Sequence, residues 1–390
     1  IAYLVDAYKG ETKEYSFLHY CLFVSFFPQL IAGPIVHHKE VLPQFLKSFV
    51  YKLNYEDLAV GFTIFVFGLF KKVVLADSIA VFATPVFSAA DQGATLTLLE
   101  AWGGALAYTL QIYFDFSGYS DMAVGLARMF GIRLPLNFNS PYKATSVVDF
   151  WRRWHITLSR FLRDYLYIPL GGNRKGETRR YINLMITMLL GGLWHGAGWN
   201  FIIWGGLHGS YLMINHAWNW MRRSSRKTVG QSNWWAVGIS RAVTFIAIVV
   251  AWVFFRAESF GGAVSLLQAM IGAHGVLLPK ALERVAGGLA DRFDFISIGG
   301  KSLPVFGSSI GFGLIAILMG IAFLLPNTMQ IMRRYQPVLD ESSLEASSGL
   351  WRKVKFEFNH LYSFIVTFTV LVCLLTMQTV QKSEFLYFDF

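Results

Sequence analysis

The run Gly191-Gly192-Leu193-Trp194-His195-Gly196-Ala197-Gly198-Trp199-Asn200-Phe201-Ile202-Ile203-Trp204-Gly205-Gly206-Leu207-His208-Gly209 is apolar and rich in tryptophan. Yet it holds one histidine between glycines and a second one further on. It lies within an apolar region, 181–216, that has basic segments on both sides. As one straight helix that region would extend about 52 Å, well beyond a hydrocarbon core of about 30 Å. Divided in two, each half has about 17 residues, short for a span of roughly 20. Gly191, Gly192, Gly196, Gly198, Gly205 and Gly206 punctuate it. Together these features predict a broken or hairpin-like membrane segment. Irregular backbone at that depth is tolerated only where protein buries it or water lines it. The run is therefore expected to line a cavity, with Trp194, Gly196 and Asn200 on its wall.

The rest of the chain agrees with a membrane setting. Of 390 residues, 54% are hydrophobic and 15% charged, against a usual charged share of about 25%. This composition fits a polytopic all-α membrane protein better than two or three soluble domains. Further candidate spans are 17–36, 58–77, 102–127, 237–256, 308–326 and 360–379. Cys21 and Cys373 both lie in apolar runs, which argues against a disulfide framework and a thiolate zinc site. The net charge of +10 reads as cytoplasmic loops following the positive-inside rule rather than as a nucleic-acid surface. The chain starts at Ile1 without the basic and apolar regions of a signal peptide. The expectation is a single membrane domain, 1–390, lacking N-terminal spans.

Segment 143–180 carries nine Lys or Arg against Asp149, Asp164 and Glu177, which places it on the cytoplasmic side. The loops 222–227 and 333–355 are basic too. Both flanks of 181–216 then face the cytoplasm, as an in-and-back hairpin requires. Lys71 and Lys72, inside a span, fit that topology poorly. The stretch 272–307 reads as a loop on the opposite face. There is no strong internal repeat, which weakens a secondary-transporter reading.

The run Ser146 to Asp164 reads as one helix. Ser146 and Asp149 have capping-box spacing, and Asp149–Arg153 and Arg160–Asp164 are i,i+4 pairs of opposite charge. On that helix Trp151, His155 and Ser159 share a face. Two readings stand: an interfacial helix held at the headgroups by Trp and Arg, or arginines that also contact an anionic substrate such as coenzyme A. Arg152, Arg153 and Arg163 are the candidates.

His195 either hydrogen-bonds across helices or moves protons, since its titration range spans physiological pH and ionisable residues within membranes mark functional sites. His208 lies 13 positions later, about 220° around a straight helix, and is expected to pack structurally unless the helix breaks. Asp115 and Asp121 sit within a span, so each needs a partner or a wet cavity. Asp115 and its i,i+4 neighbour Tyr119 belong either to a structural network or to the cavity wall. His37 and His38 are adjacent with no third ligand at suitable spacing, so no metal site is expected. HExxH and P-loop patterns are absent from the sequence.

These segments together resemble the membrane-bound O-acyltransferase family, in particular its bacterial alginate O-acetyltransferase branch. The likeness rests on Phe27-Pro28-Gln29-Leu30-Ile31-Ala32-Gly33-Pro34-Ile35, Gln111 to Ala123 and Asn137-Phe138-Asn139-Ser140-Pro141-Tyr142. It continues through Asp149 to His155, Asp164 to Arg174, Gly191 to Gly209 and Phe385 to Phe390. The resemblance implies a ring of transmembrane helices with broken or re-entrant segments around a central cavity, where a cytoplasmic donor meets an acceptor from the opposite face. It implies that His195 is the catalytic histidine and His155 the second functional one. It also implies acetyl-CoA as donor substrate with no tightly bound cofactor, and a bacterial inner-membrane location amid lipid. Acetyl would pass to a periplasmic SGNH-type acetyltransferase or a polysaccharide acceptor, with no nucleic-acid partner. Transfer of D-alanyl to teichoic acid, and a non-catalytic acyl or glycan transporter, are the alternatives.

Overall fold

The computed structural model describes residues 2–10, 12, 16–30, 33–224, 233–278, 296–298, 310–340 and 356–379. Ile31, Ala32, most of the 272–307 loop, the basic stretches 225–227 and 341–355, and the Phe385–Phe390 ending lie outside them. The described residues are predominantly helical with almost no strand, as expected of an all-α polytopic membrane protein.

Two short helices open the chain, α1 (Ala2–Tyr8) and α2 (Phe17–Ser25). The expected span at 17–36 is not one helix. After Ser25 the chain enters a three-residue 3-10 turn, Phe27–Gln29, because Pro28 starts a new turn and Gly33-Pro34 cannot continue one. Helix α3 (His38–Phe45) follows. Helix α4 (Tyr55–Phe70) starts at Asn54, whose side chain accepts from Glu56 N at 2.9 Å. It runs through a π-helical turn, Lys71–Ala76, into α5 (Asp77–Asp91). The continuous rod covers 37 residues, Tyr55–Asp91, far beyond the expected 58–77. Antiparallel to it lies α6 (Leu98–Met129), opened by a capping box in which Thr97 N donates to Glu100 Oε2 at 2.9 Å.

The rods touch backbone to backbone. A Cβ added at Gly61 would stand 2.5 Å from Gly125 O, and one at Gly68 would stand 2.5 Å from Gly118 O. Small residues permit this approach, which suits helix pairs in lipid. The π-helical turn turns Lys71 and Lys72 toward α6. Lys71 Nζ meets Asp121 Oδ2 at 2.5 Å, and Lys72 Nζ meets Asp77 at 2.8 Å and Asp115 at 2.7 Å. The two lysines are thus partners of span carboxylates rather than topology signals.

The predicted hairpin is present. Helix α7 (Val147–Trp151) and α8 (Ile156–Leu162) precede it. Helices α9 (Glu177–His195) and α10 (Trp199–Ser224) then form its arms, broken at 196–198. Their antiparallel register is tight: a Cβ at Gly192 would meet Phe201 O at 2.2 Å, and one at Gly205 would meet Met188 O at 2.3 Å. Helix α11 (Trp234–Arg256) packs beside α10, followed by α12 (Phe260–Met270). Strands β1 (Val276–Leu278) and β2 (Ile296–Ile298) pair in parallel. Helices α13 (Ile310–Leu324), α14 (Thr328–Ile331) and α15 (His360–Thr379) complete the described chain. Among the described residues, the α4–α5 rod, α11 and α15 are long and apolar enough to cross a membrane.

Candidate active site

His195 is the last residue of α9, and its burial follows from the break behind it. At Gly196 the chain turns, and a Cβ there would stand 2.4 Å from the Phe201 ring, so any other residue would displace that ring. Asn200 then pins the start of α10 by donating from Nδ2 to Ala257 O at 2.7 Å, at the end of α11. The hairpin bend is thereby clamped to the helix that supplies Trp252 and Phe255. The His195 ring is 4% exposed and meets Trp204 and Phe255 edge-on, both at 5.2 Å between centroids. Trp194, placed on the cavity wall by sequence, is 56% exposed, with its ring 5.1 Å from that of His195.

His208 comes close to the same place. The break removes the straight-helix objection to it, and its ring lies 4.8 Å from Trp204. It is fully buried, accepts from Trp151 Nε1–H at Nδ1 (3.2 Å) and stacks on Phe150. That is the packing role the sequence suggested, although Trp204 touches both histidines.

His155 departs from expectation in its backbone. The run 146–164 is not one helix: α7 ends at Trp151, and His155 adopts a left-handed conformation, φ 40 and ψ 53, before α8 begins. Trp151, His155 and Ser159 therefore do not share a helix face. The cause lies elsewhere in the chain. Ile156 N donates to Asn137 O and Asn139 N donates to Arg153 O, both at 2.9 Å. They divert Ile156 N and Arg153 O from a continued helix, although Arg152 N and Trp154 N still bond back to Val148 O and Phe150 O. The His155 ring is buried, set edge-on to Phe116 at 4.7 Å and hydrogen-bonded through Nδ1 to Asn137 Oδ1 at 3.0 Å. The His195 and His155 rings border one aromatic core, linked ring to ring through Trp204, Trp252, Trp154 and Phe138. The fold thus unites two histidines that sit 40 positions apart in the chain.

The charged groups sort differently from the sequence reading. Ser146 does cap α7, accepting from Asp149 N at 3.1 Å, but Asp149 reaches Thr145 N rather than closing the box on Ser146. Asp149–Arg153 pairs at 2.8 Å as expected. Arg160 does not pair with Asp164. It grips Glu40 of α3 with two bonds, at 2.6 and 2.9 Å, while Asp164 pairs with Arg163. Of the three candidate donor-binding arginines, Arg153 is tied to Asp149, Arg163 is exposed in its pair, and Arg152 is exposed. Asp115 joins the Lys72 network already described, and Tyr119 lies half-buried one turn away.

His37 and His38 serve a polar junction. His38 Nδ1 lies 3.2 Å from Asp6 Oδ2, Tyr165 donates to Asp6 at 2.8 Å, and the His37 ring stacks on Tyr165. Burial, and then the charge of Arg160, pull the His37 imidazole below the ordinary histidine range. Among the described residues, no group of three His, Cys, Asp or Glu could hold a metal ion. The groups that sequence reasoning missed are Asn137, Ser120, Thr157 and Lys72. Asn137 sat within a recognised motif, yet only its distance from His155 in space shows what it touches.

The comparisons agree with this architecture. Residues 3–255 match the model of MBOAT, the membrane-bound O-acyltransferase family, and the chain belongs to that family. A peptidoglycan O-acetyltransferase of Helicobacter pylori is 54% identical over 262 residues, 67% of this chain and 48% of that protein. A "Probable alginate O-acetylase AlgI" of Azotobacter vinelandii is 46% identical over 272 residues, covering 69% of this chain and 51% of the relative. A teichoic acid D-alanyltransferase of Streptococcus thermophilus is 28% identical over 273 residues, 65% of each chain. The chain spans about half the length of the two acetyl-transferring relatives.

Proposed function

We propose that the protein is a membrane O-acetyltransferase that moves acetyl from cytoplasmic acetyl-CoA for O-acetylation of an exported or cell-surface polysaccharide. The observation that carries this reading is the broken hairpin, which buries His195 in the aromatic core that also holds His155. His195 acts as general base: it takes the proton of an acceptor hydroxyl as that oxygen attacks the thioester carbonyl. The carbon–sulfur bond breaks, and the departing thiolate takes the proton back from the imidazolium. His155 orients the acceptor or the donor beside it. Arg152, Arg153 and Arg163 meet the coenzyme A phosphates on the basic face.

Acetyl transfer is favoured over D-alanyl transfer because the relatives named for acetylation are far more similar, at 54% and 46% against 28% identity. The acceptor is either polysaccharide or a periplasmic SGNH-type transferase that relays the acetyl group, with the chain seated in a bacterial inner membrane. The test uses membranes carrying the protein, radiolabelled acetyl-CoA and candidate acceptors. Label should reach an acceptor hydroxyl and vanish with His195→Ala while the variant stays in the membrane. Full transfer by that variant would refute the role, and intact acetyl-CoA carried without cleavage would favour a transporter.

A further inference from the structure

We propose that Asn137 is a positioning residue that fixes the tautomer of His155, placing the proton on Nδ1 and presenting Nε2 as its basic nitrogen. This rests on the reading that places His155 in the reaction site, but the geometry behind it is independent of the acyl group and acceptor.

The argument runs through donors whose direction cannot change. Thr157 N–H can only donate, and it points at Asn137 Oδ1 at 3.4 Å. Ile35 N–H can only donate, and it gives its proton to Thr157 Oγ1 at 3.0 Å. The Thr157 hydroxyl is thereby free to donate onward, and it does so to Asn137 Oδ1 at 2.9 Å. At the other end of the amide, Asn137 Nδ2 donates to Ser120 Oγ of α6 at 2.9 Å. Flipping the amide would set its NH2 against the Thr157 amide proton, so the oxygen is held on the His155 side. A carboxamide oxygen only accepts. The 3.0 Å contact with His155 Nδ1 therefore needs a proton on Nδ1, and in the neutral ring the lone pair then sits on Nε2.

The backbone enforces the same geometry. His155 lies in the left-handed region that side-chain-bearing residues seldom occupy. Residues held there cluster at functional sites, where the surrounding structure over-determines them. The determinant is again Asn137, whose main-chain oxygen accepts from Ile156 N. One residue, 2% exposed, thus sets both the backbone turn and the ring proton.

The test compares Asn137→Leu, Asn137→Asp and Thr157→Val in the full chain, with two readouts. The first is the 15N spectrum of labelled histidine, with the His155 signals assigned by loss in His155→Gln. The second is the pH profile of acetyl transfer. The parent should show His155 protonated at Nδ1. Asn137→Leu should move that proton toward Nε2 and lower kcat about 10- to 100-fold, the range for outer partners of a functional histidine, with KM for the donor little changed. Asn137→Asp keeps the acceptor, so it should retain the tautomer, recover most of kcat and shift the acid limb of the profile upward. If Asn137→Leu does not fold, Thr157→Val reports the same shift in weaker form.

An unchanged tautomer in both Asn137→Leu and Thr157→Val would overturn the proposal. So would a parent protonated at Nε2. A shifted tautomer with unchanged transfer would uphold the positioning but remove His155 from the reaction, which separates the two readings.

Discussion

His195 and His155 are held by opposite means. His195 ends a regular helix and is gripped by aromatic edges, Trp204 and Phe255, each 5.2 Å away. Such ring contacts fix the plane of the imidazole. His155 sits on a left-handed backbone and is gripped through Nδ1 by an amide whose direction is fixed by other donors. That grip assigns the proton. In the proposed mechanism His195 gains and loses a proton while His155 orients, a division of labour that the two settings make testable.

The largest effects should test that division directly. His195→Ala and His195→Gln should be equally poor, each losing about 10²- to 10⁴-fold in kcat, because a glutamine cannot accept a full proton near neutrality. His155→Ala should lose less than His195→Ala. His155→Gln, which restores a polar group near the position of Nε2, should recover part of that loss. Initial rates of acetyl transfer in membranes at matched protein levels decide it. If His155→Gln is as inactive as His195→Gln, then both histidines exchange protons and the contrast fails.

The two histidines also differed in how far the sequence could be read. The hairpin followed from the length of 181–216, its basic flanks and its glycines, whereas the place of the bend, at 196–198, is set by packing. His195 was legible as a candidate because it is an ionisable residue among glycines in a segment that must break, and the family resemblance singled it out. The His155 segment misled for a physical reason. Its i,i+4 charges and capping spacing are helical signals, worth a few tenths of a kcal/mol each. Tertiary bonds from Asn137 and Asn139 outweigh them. Lys71 and Lys72 were misread for the same cause, because their partners on α6 stand about 40 to 50 positions away. Local periodicity carries no trace of such pairings.

A second prediction perturbs only the aromatic side. Gly205 and Gly206 are adjacent on α10, but a Cβ at Gly205 would lie 2.3 Å from Met188 O, whereas one at Gly206 meets Leu189 at an ordinary 3.6 Å. Gly205→Ala must spread the hairpin and displace Trp204, its chain neighbour. It should cost about 1–3 kcal/mol, as overpacking does, and lower transfer as well. Gly206→Ala should be neutral or gain up to about 1 kcal/mol from helix propensity. Thermal unfolding in detergent, followed by tryptophan fluorescence, measures both. Equal midpoints for the two variants would mean that the hairpin is not packed as tightly as its backbone distances require.

The smallest effect belongs to the polar side. Arg160 is bound to Glu40 by two short bonds, so it belongs to the scaffold that holds α8 against α3. Arg163, one turn later, has a side chain 60% exposed and pairs with its neighbour Asp164. An exposed pair contributes about 0–1 kcal/mol, so Arg163→Gln should leave the unfolding midpoint nearly unchanged. If the basic face beside His155 receives the coenzyme A phosphates, the same variant should raise KM for acetyl-CoA by about 2- to 5-fold, the equivalent of about 0.4–1 kcal/mol. Its kcat should stay constant, since the lost contact is made equally in the ground and transition states. The parent's KM should also rise more steeply with salt than that of the variant, because an exposed charge contact is screened. Arg160→Gln should do the reverse, lowering stability more than donor affinity. A KM for Arg163→Gln that matches the parent at every salt concentration would place the donor away from this arginine, and leave the polar grip on His155 as a positioning device alone.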